Sequence, residues 1–123
     1  MQLRVRFATG WLLFLMACAS SGHASIPTGE TLLLRIRNDN PADVRVYGVR
    51  ETLEIRLGMV TSFRTEYFSV PSILYGSTGR LRIKVVPVGG GPVYVTDPIL
   101  IIGIRRIDLR LVHPFAHSAI FVR

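Results

Sequence analysis

The stretch RLRIKVVPV, residues 80–88, decides the fold class because its apolar and charged residues alternate strictly. The apolar side chains on one side of the extended chain are Leu81, Ile83 and Val85. The charged side chains on the other side are Arg80, Arg82 and Lys84. Successive side chains of a strand point to opposite faces, so this pattern indicates a strand with one buried and one hydrated face. Such strands are typical of antiparallel sheets, which can expose one face to water.

The same alternation recurs along most of the chain. It is seen in TLLLRIRN (31–38), VRVYGVR (44–50), TLEIRLG (52–58) and RIDLRLV (106–112). Segments rich in Gly, Pro, Asn and Asp separate these runs and mark turns. No window after residue 25 combines a helical period with a capping residue, so no helix is predicted.

These patterns predict an all-β domain. The predicted strands are 31–38, 44–50, 52–57, 65–70, 80–88, 93–96, 99–102 together with 104–112, and 118–122. Pro98 cannot donate to a sheet ladder, so it predicts an edge strand or a bulge. The expected fold is an antiparallel two-sheet sandwich of seven or eight strands, immunoglobulin-like or transthyretin-like.

The N-terminus carries a separate, targeting signal. Arg4 and Arg6 precede an apolar segment at 7–17, which is too short to span a bilayer and is typical of a signal peptide. The four residues that end it, Leu15-Met16-Ala17-Cys18, resemble the lipobox of bacterial lipoproteins. The resemblance implies lipid attachment at Cys18 and cleavage before it. The residue after the cysteine is Ala19, and in this it resembles the lipoproteins that are sorted to the outer membrane.

A second cleavage site competes with the lipobox. Gly22-His23-Ala24 is a small-x-small pattern, and a cut after Ala24 would release a periplasmic or secreted chain. With the lipobox, the predicted organisation is a signal peptide at 1–17, a lipid-anchored flexible tether at 18–30 and the sandwich domain at 31–123. Cys18 is the chain's single cysteine, so no internal disulfide is expected.

No constellation for catalysis or metal binding emerges. His113 and His117 are four residues apart, but Pro114 favours a loop between them over a metal-binding helix. The turn NDNPAD at 38–43 has oxygen ligands of the kind calcium prefers, yet lacks EF-hand spacing and matches ordinary turn chemistry. The sequence therefore predicts no enzyme, no cofactor and no metal.

The chain is basic, with 15 Lys and Arg against 8 Asp and Glu, and its net charge is +7. The basic residues form no run and are interleaved with acidic ones, so nucleic acid is not expected as a partner. A binder of an anionic ligand would instead gather arginines on one concave sheet face. The candidates for such a site are Arg35, Arg37, Arg45, Arg82 and Arg110.

Two functions follow from these observations. The first is a non-enzymatic envelope lipoprotein, held at the outer membrane by its lipid, whose sandwich docks to an envelope protein assembly. The alternative is a periplasmic or secreted module that binds an anionic ligand through arginines. Short pieces at 36–40, 44–47, 56–60, 68–71, 81–90 and 96–99 also resemble small bacterial envelope proteins, a resemblance that implies no chemistry.

Overall fold

A computed structural model describes residues 31–123. The predicted signal peptide, tether, Cys18 and the cleavage site at Ala24 lie outside the described residues. Within residues 31–123 there are nine strands: β1 (Leu32–Asn38), β2 (Val44–Arg50), β3 (Leu53–Val60), β4 (Thr65–Val70), β5 (Arg80–Pro87), β6 (Tyr94–Val95), β7 (Ile99–Leu100), β8 (Arg106–Leu111) and β9 (Ala119–Val122). Single 3₁₀ turns lie at Ser72–Leu74 and Phe115–His117.

The strands form two sheets, which confirms the predicted all-β class. The first sheet has the order β4-β1-β8-β9, and the second has the order β3-β2-β5-β6 with β7 paired to β5. Apolar side chains from both sheets make one core. Its buried members are Leu32, Leu34, Ile36, Val44, Val46, Val60, Val70, Leu74, Leu81, Ile83, Val85, Ile99, Ile101, Ile107, Leu109 and Leu111.

The prediction of purely antiparallel sheets was wrong at one position. β1 and β8 pair in parallel, with Leu34 opposite Ile107 and Ile36 opposite Leu109. Alternation of apolar and polar residues reports which face is buried, but it is identical for either direction of a neighbouring strand. The direction is instead set by the path of the chain, which passes through the whole second sheet between β1 and β8.

The number of strands also differs from the predicted seven or eight. The apolar run at 99–112 divides into β7 in the second sheet and β8 in the first. A turn separates them, in which the Ile104 amide donates to the Ile101 carbonyl at 3.1 Å. Gly103 takes a left-handed φ of 74° in this turn, a conformation that glycine adopts without steric cost.

β3 continues past its predicted end at residue 57. The pairing of β2 with β3 shifts between Val46 and Tyr47, so β3 carries a bulge there and runs on to Val60, which is buried. The bulge changes which residues face the core after Leu57. Leu53, predicted to point inward, is exposed at the first position of the strand, whereas Ile55 and Leu57 pack against the core. Within the described part of the chain, no helix is long and apolar enough to cross a membrane.

Candidate binding surface

The five arginines predicted as candidate ligand-binding residues divide between two surfaces. Arg35 and Arg37 on β1 lie next to Arg110 on β8, on the outer face of the first sheet. Arg45 on β2 and Arg82 on β5 lie on the outer face of the second sheet. These outer faces are on opposite sides of the sandwich because the core lies between the sheets. The fold therefore brings three of the five together.

One row of four side chains crosses the outer face of the first sheet. Tyr67 on β4 is opposite Arg35 on β1, Arg35 is opposite Asp108 on β8, and Asp108 is opposite Phe121 on β9. Tyr67 and Phe121 stand at the two ends of the row and are 59% and 58% exposed. Both aromatic side chains are therefore available to a partner, and aromatic residues are enriched at protein interfaces.

Arginines flank this row on β1, on β8 and directly after β9. Arg37 and Arg110 lie on one side of it, whereas Arg106 and the C-terminal Arg123 lie on the other. We call this surface the arginine face: Tyr67, Phe121, Asp108 and the arginines at 35, 37, 106, 110 and 123. A groove of about 260 Å³ runs across it. With Asp39 at its margin, the surface has five arginines against two aspartates, so it is cationic.

Asp108 is the acidic residue at the centre of the arginine face. Its residue surface is only 9% exposed, and its Oδ2 accepts a hydrogen bond from Arg106 Nη2 at 3.0 Å. Arg123 Nε lies 3.8 Å from the same oxygen. Asp108 Oδ1, Arg35 Nε and Arg106 Nε are buried and have no hydrogen-bond partner among the described residues. Buried polar atoms normally have partners, so these three are exceptions at the centre of the face.

Asp39 is a second acidic residue, at the edge of the arginine face. Asp39 accepts hydrogen bonds from Arg110 Nε at 2.6 Å and from Arg37 Nε at 2.9 Å. The hydrogen bond from Arg110 is the main cause that lowers the pKa of Asp39 below its ordinary value. Asp39 therefore stays ionised and fixes two arginines beside the aromatic row.

The outer face of the second sheet is also basic, and its lysine is paired with a carboxylate and an aromatic ring. Lys84 Nζ lies 3.1 Å from both carboxylate oxygens of Glu54 and 5.6 Å from the centroid of the Tyr47 ring. The ammonium thus covers the aromatic ring and is neutralised by the carboxylate. A groove of about 490 Å³ lies at one end of this sheet, lined by residues that include Arg50, Glu51, Arg80 and Arg82.

The turn NDNPAD is held by hydrogen bonds within the protein. Asn38 is wholly buried, its Nδ2 donates to the Ala42 carbonyl at 2.8 Å, and its Oδ1 accepts from the Asn40 amide at 3.1 Å. Asp43 Oδ1 accepts from the Ser62 amide at 2.8 Å. These oxygens and amides close a turn, as Asx residues commonly do.

His113 precedes the second 3₁₀ turn and His117 is its last residue, and the peptide bond between His113 and Pro114 is cis. Among residues 31–123 no three His, Cys, Asp or Glu side chains are grouped so that they could hold a metal ion. The arginine face gathers guanidinium, carboxylate and aromatic groups, an arrangement that suits binding.

Sequence reasoning did not identify several residues of this face. Asp108 looks like one more hydrated residue in the alternation RIDLRLV, and only the register of four strands puts it between Arg35 and Phe121. Arg106 and Arg123 join the face for the same reason. The signal that could have found Tyr67 is the phase of its strand: in TEYFSV, Tyr67 is out of phase with the buried Val70.

No protein-family model matches this chain, and no curated protein matches it. An NMR structure of a protein from Eubacterium rectale is similar in fold, with a TM-score of 0.50 and 14% sequence identity. The alignment covers 80% of this chain and 93% of that one. At this identity the likeness concerns the fold alone, because function depends on individual site residues. The comparisons therefore support the two-sheet architecture of residues 31–123.

Proposed function

We propose that this chain is a non-enzymatic, lipid-anchored docking module of the bacterial cell envelope, and that the arginine face binds an acidic surface of an envelope protein. The observation that carries the proposal is the row Tyr67–Arg35–Asp108–Phe121 with arginines on both sides. Tyrosine and arginine are the residue types that dominate binding energy at protein interfaces, and aromatic residues are enriched there.

The shape of the arginine face favours a protein over a small molecule. Its groove of about 260 Å³ is smaller than the roughly 300–1,000 Å³ of typical ligand pockets. A four-stranded face with two separated aromatic side chains suits an extended surface, whose acidic residues would meet the exposed guanidinium groups of Arg37 and Arg110.

The alternative function, a module for an anionic small ligand, has less support on this face. This alternative required all five candidate arginines to lie on one surface, but Arg45 and Arg82 lie in the second sheet. The observation in its favour is the larger groove of about 490 Å³, which Arg82 lines. Phosphate or carboxylate binding there would survive changes to the arginine face.

The sandwich type is part of the proposal. In the immunoglobulin constant-type sandwich the first two strands belong to one sheet. Here β1 and β2 lie in different sheets, and β1 shares its sheet with the last two strands. This order favours the transthyretin-like type among the two that the sequence predicted.

The proposal is tested by comparing two variants that each remove two positive charges. Arg37→Gln/Arg110→Gln changes the arginine face, whereas Arg45→Gln/Arg56→Gln changes the outer face of the second sheet. The measurement is affinity capture from solubilised envelopes, with partners identified by mass spectrometry and eluted by rising salt. We expect an acidic protein that is retained by wild type and by the second variant, but lost with the first. Equal loss from both variants, or no loss from either, would contradict the proposed surface.

A further inference from the structure

The end of the sandwich where the described chain begins has a surface that the proposed docking function does not use. Thr31, which is covalently joined to residues 1–30, precedes β1 at this end. The loops at 71–79 and 101–105 lie here as well, since the Leu33 amide donates to the Arg105 carbonyl and the Ile101 amide donates to the Gly79 carbonyl. We call this region the N-terminal end.

Three apolar side chains protrude from the N-terminal end. Ile102 is 77% exposed, Ile73 is 57% exposed and Leu100 is 55% exposed. Each belongs to this end by its own neighbours: Ile102 Cγ1 is 3.5 Å from where a Cβ on Gly79 would lie, Arg50 Nη1 donates to the Ile73 carbonyl at 2.8 Å, and Leu100 pairs with Arg80. Isolated exposed apolar residues are ordinary, but three aliphatic tips at one end of a domain mark an interaction surface.

Arginines border these tips. Arg80 pairs with Leu100 across β5 and β7, and Arg50, Arg80 and Arg82 line the groove of about 490 Å³ at this end. Glu51 is the acidic side chain in that lining. Aliphatic tips surrounded by guanidinium groups match an anionic membrane surface, because the tips enter the acyl boundary while the arginines stay at the headgroups.

The opposite end also exposes apolar side chains, among them Phe63, Val88 and Val93, beside the NDNPAD turn in which Arg37 and Arg110 pair with Asp39. The path of the chain distinguishes the two ends. A lipid on Cys18 would be separated from Thr31 by 12 residues, whose fully extended length is at most about 45 Å. The anchor would therefore hold the N-terminal end near the membrane.

We propose that the N-terminal end of the sandwich lies directly on an anionic lipid surface, with Ile73, Leu100 and Ile102 inserted and Arg50 and Arg80 at the headgroups. The proposal extends the lipid-anchored docking function and rests on it for the location of the membrane. It leaves the arginine face free to bind protein, since that face runs along the side of the sandwich.

The test uses a single tryptophan placed in the mature, lipid-anchored protein. Trp11 is the chain's one tryptophan and lies in the predicted signal peptide, so cleavage before Cys18 leaves no tryptophan background, and Trp11→Phe removes it from any uncleaved chain. Ile102→Trp places the probe at the N-terminal end, and Val93→Trp places it at the opposite end at a residue that is 50% exposed. Each protein, checked for folding by circular dichroism, is reconstituted with vesicles of phosphatidylglycerol and, separately, of phosphatidylcholine.

We expect the emission of Ile102→Trp to move to shorter wavelength and to be quenched by brominated lipid in phosphatidylglycerol vesicles, while Val93→Trp changes little. Adding Leu100→Asp should reduce the lipid-quenched fraction at residue 102 about tenfold. Unchanged emission at residue 102, or equal quenching at both probes, would overturn the proposal. The mass of the mature N-terminus reports separately on the lipid at Cys18, so failure of the anchor and failure of the membrane contact are distinguishable.

Discussion

Arg110 Nε lies 2.6 Å from Asp39 Oδ2, and this ion pair joins β8 to the turn that follows β1, across 71 residues of sequence. Asp39 also accepts from Arg37, so one carboxylate holds two arginines of the arginine face. Each arginine side chain is 56% exposed, which means that solvent and salt screen the pair.

The ion pair predicts a specific pH dependence. The pKa of Asp39 is lowered from 3.8 by its hydrogen bond from Arg110, so its contribution to stability is present above pH 3.8 and is lost as pH falls through the lowered pKa. Denaturation of wild type and Asp39→Asn from pH 7 to pH 2 should show a difference in unfolding free energy that is constant at neutral pH and disappears in acid. The same difference should shrink in high salt, and a difference that grows in acid would contradict the assignment.

Asn38 is expected to be a structural residue. Its buried amide closes the NDNPAD turn through Ala42 and Asn40. Asn38→Ala leaves those backbone groups without their partners, so we expect a loss of about 1–3 kcal/mol in unfolding free energy, measured in urea. Asn40→Ala is the matched control: the Nδ2 of Asn40 has no partner among the described residues, so its loss should be smaller. A larger loss for the control would refute this role.

Gly48 on β2 faces Leu74, which is fully buried. A Cβ at residue 48 would overlap the Leu74 side chain. We expect Gly48→Ala to destabilise the domain by about 1–3 kcal/mol, because a well-packed core must shift to admit the methyl group. Gly89→Ala, with nothing within 4 Å of the added Cβ, should change stability by less than about 0.5 kcal/mol. Equal losses of unfolding free energy for the two variants in urea would show that the contact with Leu74 does not require glycine at residue 48.

Tyr67 and Phe121 are expected to contribute to binding and little to folding. Both are exposed strand residues at the ends of the aromatic row. Tyr67→Thr and Phe121→Thr keep strand propensity, so the unfolding free energy should change by less than about 1 kcal/mol. Affinity for the captured envelope partner should fall at least tenfold or so for each. Unaltered affinity in both variants would remove the row from the proposed interface.

The lipobox predicts a modified mature N-terminus. Mass spectrometry of the membrane fraction should show a chain that begins at Cys18 and carries acyl groups, and Cys18→Ser should lose that mass. Stable anchoring needs more than one acyl chain, so a multiply acylated species is expected. A chain that begins at Ser25 in the soluble fraction would instead identify Ala24 as the cleavage site.

The sequence predicted most strand positions because each strand carries its own evidence. In RLRIKVVPV, one face must be apolar wherever a sheet covers a core, and Leu81, Ile83 and Val85 are all buried. The limit of such evidence is visible in TLEIRLG, where a bulge opposite Tyr47 changes the inward face in mid-strand. A bulge depends on the pairing partner, and the alternation within one strand does not report it.

The candidate surface was predicted only in part. The alternation within β1 and β8 is enough to predict that Arg35, Arg37 and Arg110 lie on the outer faces of their strands. Their proximity to Asp108, and the exclusion of Arg45 and Arg82, depend on which strands share a sheet. The local pattern therefore determined, for most strand residues, whether they face core or water. Only the tertiary structure decided which residues meet, because the parallel pairing of β1 with β8 joins segments about 70 residues apart, and no local periodicity encodes such a contact.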